Sequence, residues 1–123
     1  MKILVVEDDA SVRETLGLVL EAYQHEPVLV CDGKQALEFL ASDDGWPEVM
    51  LLDLSLPDMT GEEVFEEIKS RFGKTPPTVV LSAVQQGENR VRHLPGTWYL
   101  AKPYTLEELA EIICLASGSR GAA

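Results

Sequence analysis

Short hydrophobic runs alternate with stretches of helical periodicity along this chain. Residues 2–6 (Lys-Ile-Leu-Val-Val), 28–31 (Val-Leu-Val-Cys), 49–52 (Val-Met-Leu-Leu) and 78–81 (Thr-Val-Val-Leu) form four such runs, and Trp98-Tyr99-Leu100-Ala101 is a weaker fifth. They are continuous rather than alternating, which suits strands covered on both faces, as in a parallel sheet. Between them, Val12, Leu16, Val19, Leu20 and Tyr23 trace one helical stripe within 11–23. Ala36, Leu37 and Leu40 do so within 33–41, and Val64, Phe65, Ile68 and Phe72 within 61–72. Leu106, Leu109, Ile112, Ile113 and Ala116 mark a last helix over 106–116.

Helix starts are written into the chain. Thr60 with Glu63 and Thr105 with Glu108 are capping boxes, with Met59–Val64 and Tyr104–Leu109 as their hydrophobic staples. Ser11 with Glu14 is a third candidate box. The stretch 85–97 is weaker: Gln85-Gln86-Gly87 opens it, Pro95-Gly96 closes it, and only Val91 and Leu94 can anchor a short helix. The order is thus β-α five times. Right-handed crossovers then predict an α/β fold, a doubly wound five-stranded parallel sheet with helices on both faces. One domain is expected over 1–117, followed by a disordered tail over 118–123.

Charge narrows the partners. The chain of 123 residues carries 10 basic and 21 acidic residues, a net charge of −11. That sign opposes generic binding to nucleic acid or anionic membranes. No apolar run approaches the roughly 20 residues of a membrane span, and the short stretch after Met1 ends in acids, unlike a secretory signal. Both features predict a cytoplasmic protein. Cys31 and Cys114 lack metal-type spacing and are expected to be buried free thiols. Residues 69–102 hold Lys69, Arg71, Lys74, Arg90, Arg92 and Lys102 against Glu88 alone. This predicts an electropositive side, which serves either to dock an acidic partner or, more simply, to balance the surface.

The candidate chemistry sits where ligands bind such sheets, beyond the carboxyl ends of the strands. Glu7, Asp8 and Asp9 follow the first run, Asp53 the third, Ser82 the fourth and Lys102 the fifth. Carboxylates gathered there repel one another by roughly 1 kcal/mol per pair in water and about 4 kcal/mol at an effective dielectric of 20. Such a cluster raises its own pKa values or takes up a cation. An open rim of hard oxygens suits Mg²⁺, which keeps waters and shares a substrate phosphate. Asp53 can act as a nucleophile forming an aspartyl phosphate, with Lys102 and Ser82 contacting the transferring oxygens.

At these residues the chain resembles a response-regulator receiver domain of two-component signalling. The likeness covers residues 2–116 and rests on four marks. These are Ile3-Leu4-Val5-Val6-Glu7-Asp8-Asp9, Leu51-Leu52-Asp53-Leu54-Ser55-Leu56-Pro57-Asp58-Met59-Thr60-Gly61, Leu81-Ser82-Ala83 and Lys102-Pro103-Tyr104. The resemblance implies a flavodoxin-like (βα)5 three-layer sandwich. It implies that Asp53 takes phosphate from a histidine kinase or phosphotransfer protein and that the domain then controls a downstream protein. Mg²⁺ would be held by Asp8, Asp53 and the backbone carbonyl of Ser55, with Glu7 acting through water. Ser82 and Tyr99 match the switch hydroxyl and aromatic, and Lys102 the lysine whose bond to Pro103 is cis. Asp9 lies outside the acidic pair and reads as a helix cap. The wording around Asp53 is similar to receivers of hybrid histidine kinases, whereas a start at the first strand suits a stand-alone regulator or an excised fragment. The span from Ser82 to Lys102 is about two residues shorter than in many receivers, which predicts a reduced fourth helix and a monomer or weak homodimer.

Two other classes remain for comparison. A haloacid-dehalogenase-type phosphatase needs an acid two residues past the nucleophile, where this chain has Ser55. A calcium loop starting at Asp53 would need Gly where Asp58 stands and an acid where Val64 stands. The alternative retained is a receiver-like interaction module that phosphate does not control.

Overall fold

The computed structural model describes residues 1–42, 44–83, 89, 91 and 94–118. Five strands, β1 (Lys2–Val6), β2 (Glu26–Val30), β3 (Val49–Asp53), β4 (Thr78–Ser82) and β5 (Thr97–Ala101), pair in parallel in the order β2-β1-β3-β4-β5. Four helices among the described residues, α1 (Ala10–Ala22), α2 (Gly33–Ala41), α3 (Gly61–Phe72) and α4 (Leu106–Ser117), cover both faces.

The strands alternate between two cores. Leu4, Val6, Met50, Leu52 and Val80 face α2 and α3, where Ala36, Leu37, Leu40, Val64, Phe65 and Ile68 pack. Ile3, Val5, Val49, Leu51, Val79 and Leu81 face α1 and α4, meeting Leu16, Leu20, Leu109, Ile113 and Ala116. This two-residue period, with both faces buried, is why the strands read as unbroken hydrophobic runs. The doubly wound sheet is the expected one.

Boundaries differ where local chemistry outweighs hydropathy. β2 begins at Glu26, two residues before its hydrophobic run, because an edge strand tolerates Pro27. Both expected capping boxes form, at Thr60–Glu63 and Thr105–Glu108. The Ser11–Glu14 box does not: Asp9 caps α1 instead, accepting from the Val12 N–H. Gly118 adopts φ 73° and caps α4; the rest of the expected tail lies outside the described residues. Most of the expected short helix over 85–97 also lies outside them, although Val91 and Leu94 are buried in the α2–α3 core.

The cysteine expectation is corrected. Cys114 is exposed and Cys31 only half-buried, both as free thiols. Cys114 follows the inward-facing Ile113 by one residue, a rotation of about 100° that carries it to solvent. Of the expected basic strip, Arg90 and Arg92 lie outside the described residues. Arg71 pairs with Glu67 at 2.8 Å, and Lys74 sits over the Trp46 ring at 4.7 Å.

One loop contact ties the site's surroundings together. Asp58, beyond β3, accepts the N–H groups of Gly33 and Lys34 at 3.0 Å each, while Asp32 accepts that of Gln35. Slight burial works against its charge, but the Gly33 and Lys34 N–H groups hold its carboxyl below the usual aspartate range. Its folded pKa lies below the unfolded one, so its contribution is present at neutral pH and fades as pH falls through the folded value. Asp58→Ala is therefore expected to lower stability by about 1 kcal/mol at neutral pH. In urea titrations, the gap to the parent protein should narrow on acidification; a gap independent of pH would contradict the contact.

Candidate functional site

The carboxyl ends of β1, β3, β4 and β5 bring the expected residues together. β1 pairs directly with β3, which sets Glu7 and Asp8, just past Val6, beside Asp53 at the end of β3. One carboxylate oxygen from each of Glu7, Asp8 and Asp53 can be chosen so that all lie within 4.8 Å of one another. Glu7 and Asp53 are buried, and Asp8 is exposed. Lys102, just past β5, reaches back across the sheet end. Its Nζ lies 3.3 Å from Glu7 Oε1 and 3.6 Å from Asp53 Oδ2.

Backbone groups fix the acids in place. Asp9 N–H donates to Glu7 Oε2 at 3.2 Å, and Ser55 N–H donates to Asp53 Oδ1 at 3.0 Å. The guanidinium of Arg13 donates to the carbonyls of Glu7 at 2.8 Å and Asp8 at 3.3 Å. Arg13 was not legible as a site residue, because its contacts are to main-chain oxygens that no motif specifies.

The electrostatics follow from burial and proximity. Burial lifts the Glu7 carboxyl above the usual glutamate range and Asp53 adds to it, against the Asp9 N–H and Lys102. Burial alone would lower the Lys102 pKa, but Asp53 and then Glu7 outweigh it and hold the ammonium more firmly protonated. Two of the three carboxylates share the one ammonium, which leaves the cluster negative. Exposed Asp8 opens it to solvent. A small, hard cation fits this donor set.

Ser82 ends β4, one residue beyond the Leu81 that lies in register with Asp53. It is buried, and its carbonyl accepts the Lys102 N–H at 3.0 Å. The Tyr99 hydroxyl donates to that same carbonyl at 3.3 Å, so the half-buried Tyr99 ring lies along β4. The Lys102–Pro103 peptide is cis, as expected. Exposed Ser55, two residues past the end of β3, forms an antiparallel bridge with Thr60.

Gly61 is the residue whose role the capping pattern concealed. A Cβ there would stand 2.7 Å from the Asp53 carbonyl oxygen and 2.9 Å from Leu54 Cα. Both are backbone atoms at the strand end that carries Asp53, and Gly61 N–H donates to the Leu54 carbonyl at 3.0 Å. Gly61→Ala is expected to cost roughly 1–3 kcal/mol through overpacking. Wild-type stability of the variant in urea titrations would refute this reading.

Comparison with known proteins agrees with this geometry. Residues 3–114 match the family model of the response regulator receiver domain. The response regulator MprA of Mycobacterium avium (strain 104) is 40% identical over 111 residues, covering 89% of this chain and 47% of that protein. The chain thus spans about half the length of the curated relatives it matches. Among solved structures, one similar chain is the receiver domain of sensor histidine kinase PA1611 from Pseudomonas aeruginosa PAO1, which has a magnesium ion coordinated in its active site cleft. It is 28% identical, with TM-score 0.82 over 95% of this chain and 97% of that one. The bacteriophytochrome response regulator RtBRR is 32% identical, with TM-score 0.79 over 95% and 77%. The chain belongs to the response regulator receiver domain family of two-component signalling.

Proposed function

We propose that Asp53 accepts a phosphoryl group from a phosphohistidine of a histidine kinase or phosphotransfer protein, and that the resulting change in shape controls a downstream protein. The observation that carries this reading is the placement of Lys102 Nζ between Glu7 and Asp53 within a three-carboxylate cluster. A carboxylate oxygen of Asp53 attacks phosphorus, the phosphorus–nitrogen bond to the donor imidazole breaks, and an acyl phosphate forms. Lys102 would offset charge on the phosphoryl oxygens, and the Ser82 hydroxyl would donate to one of them. Asp8, Asp53 and the Ser55 carbonyl would hold Mg²⁺, with Glu7 reaching it through water; when bound, the ion supplies further neutralisation of the transferring group. The acyl phosphate carries about −1.5 to −2 charges where the carboxylate carried one, and it sets three acceptor oxygens beside Ser82 and Lys102. Drawing both side chains toward the phosphate bears on Tyr99 through the Ser82 carbonyl. The chain turns over no separate substrate in this reading, since it accepts and releases its own phosphoryl group. Among the described residues, no helix is long and apolar enough to cross a membrane, which supports a cytoplasmic setting.

Beryllofluoride, an acyl-phosphate mimic, tests the proposal. Trp98 is half-buried next to Tyr99, and Trp46→Phe removes the other indole. With Mg²⁺ present, the emission of Trp98 should change saturably on titration, and EDTA should reverse it. No response in emission or in the amide spectrum would leave the interaction-module alternative standing.

A further inference from the structure

We infer that the groove between α1 and the edge strand β2 is a docking site for a basic amphipathic helix of a partner protein. The groove encloses about 280 Å³ and is lined by Glu14, Gly17, Leu18, Glu21, Pro27 and Leu29. Leu18 is 68% and Leu29 40% exposed, although each sits in regular structure where the apolar stripes otherwise face inward. Gly17 forms its floor: a Cβ there would meet Leu29 Cδ1 at 3.0 Å, so the missing side chain lets Leu29 lie close across α1.

The open edge of β2 cannot readily take an added strand. Glu26 N–H donates to the Met1 carbonyl and Glu7 N–H to the Val30 carbonyl, which turns the even-numbered residues of β2 toward β1. The backbone N–H and C=O groups of residues 27, 29 and 31 therefore point to the open edge. Pro27 has no N–H, and the Cys31 N–H is taken by Gln35 Oε1 at 2.9 Å. A strand-adding partner would find a single donor, at Leu29, so the fitting occupant is a helix.

Charge selects the kind of helix. Glu14 and Glu21 flank Leu18, are exposed, and make no ion pair among the described residues. Seven residues apart on α1, they stand about 10.5 Å from each other along the axis. A helix presenting an apolar anchor between Lys or Arg residues two turns apart matches both features. A second copy of this chain would set these acids against their own kind, and an anionic membrane would be repelled.

The probe is a helical peptide about 15 residues long, with a Leu anchor between two Lys residues two turns apart, compared with its Glu counterpart. The Lys peptide should bind the full chain in a salt-sensitive way and shift amide resonances at 14–21 and 27–31. Leu18→Glu should weaken it by about tenfold or more, as expected for loss of a central anchor. Glu14→Lys with Glu21→Lys should reverse the preference to the Glu peptide. Absence of binding, shifts confined to the acidic face of α3, or a double variant with unchanged preference would overturn the inference. So would a dimer in sedimentation that Leu18→Glu dissolves, since the occupant would then be a second copy. Binding should be unaltered in Asp53→Asn, so this proposal and the phosphoryl-transfer reading fail separately.

Discussion

Asp53→Asn is expected to abolish phosphate uptake while leaving the fold intact. The amide has no anionic oxygen with which to attack phosphorus, so labelling by acetyl phosphate or by a phosphohistidine donor should fall to background. The local structure survives because Asn keeps an acceptor for the Ser55 N–H at the position of Oδ1. Lys102 loses its 3.6 Å partner but retains Glu7 at 3.3 Å. Removing one of three mutually repelling carboxylates offsets that loss, and the net stability change should stay within about 1 kcal/mol. Affinity for Mg²⁺ should fall with the charge. Persistent labelling of the variant would move the acceptor elsewhere, with Asp8 the first residue to test.

Lys102→Ala should disturb stability, metal affinity and chemistry in different directions. The Glu7 side chain is 4% and the Asp53 side chain 11% exposed, and removing their common cation leaves both with their like-charged neighbour Asp8. Breaking a fully buried pair costs 3–5 kcal/mol; Lys102 is itself a quarter exposed, so about 2 kcal/mol is expected here. The Glu7 pKa is already raised by burial and by Asp53, and it should rise further. A carboxyl with a raised folded pKa penalises the fold above that value and is relieved below it. The deficit should therefore shrink on mild acidification, and also when Mg²⁺ is added. Affinity for Mg²⁺ should rise, because one more negative charge is uncompensated. Phosphate uptake should nevertheless drop by about 10²-fold or more, the usual scale for losing a charge-stabilising donor. Calorimetric titration of Mg²⁺ beside a labelling time course separates the two effects. A parallel loss of both would mean that Lys102 merely props the loop.

The fold was legible because a doubly covered parallel sheet needs continuous hydrophobic strands and amphipathic helices, which local patterns report directly. Thr60 and Thr105 fixed two helix starts for the same reason: a cap is a contact between residues three apart. Where two caps competed, as at Asp9 and Ser11, the pattern did not choose. The Asp9 carboxylate could reach the Val12 N–H from an extended residue, and the helix began there. Cys114 misled because its apolar neighbours in sequence point elsewhere on the helix.

The candidate site divides in the same way. Glu7, Asp8, Asp53, Ser82 and Lys102 announce themselves as polar residues that end hydrophobic runs, and the parallel order alone gathers strand ends at one rim. Their chemical types and chain order were therefore settled by sequence. The distances were not: whether Lys102 meets Glu7, Asp53 or solvent depends on β1, β3 and β5 arriving at one edge. The roles of Arg13, Asp58 and Gly61 appear only then, because each meets the backbone of another segment, and no local pattern marks such a contact. The groove of Leu18 and Leu29 likewise exists only once α1 lies beside an edge strand. Sequence by itself determined which residues line up at the strand ends; tertiary packing decided how close they come, since periodicity encodes direction from an axis but not the separation of one axis from the next.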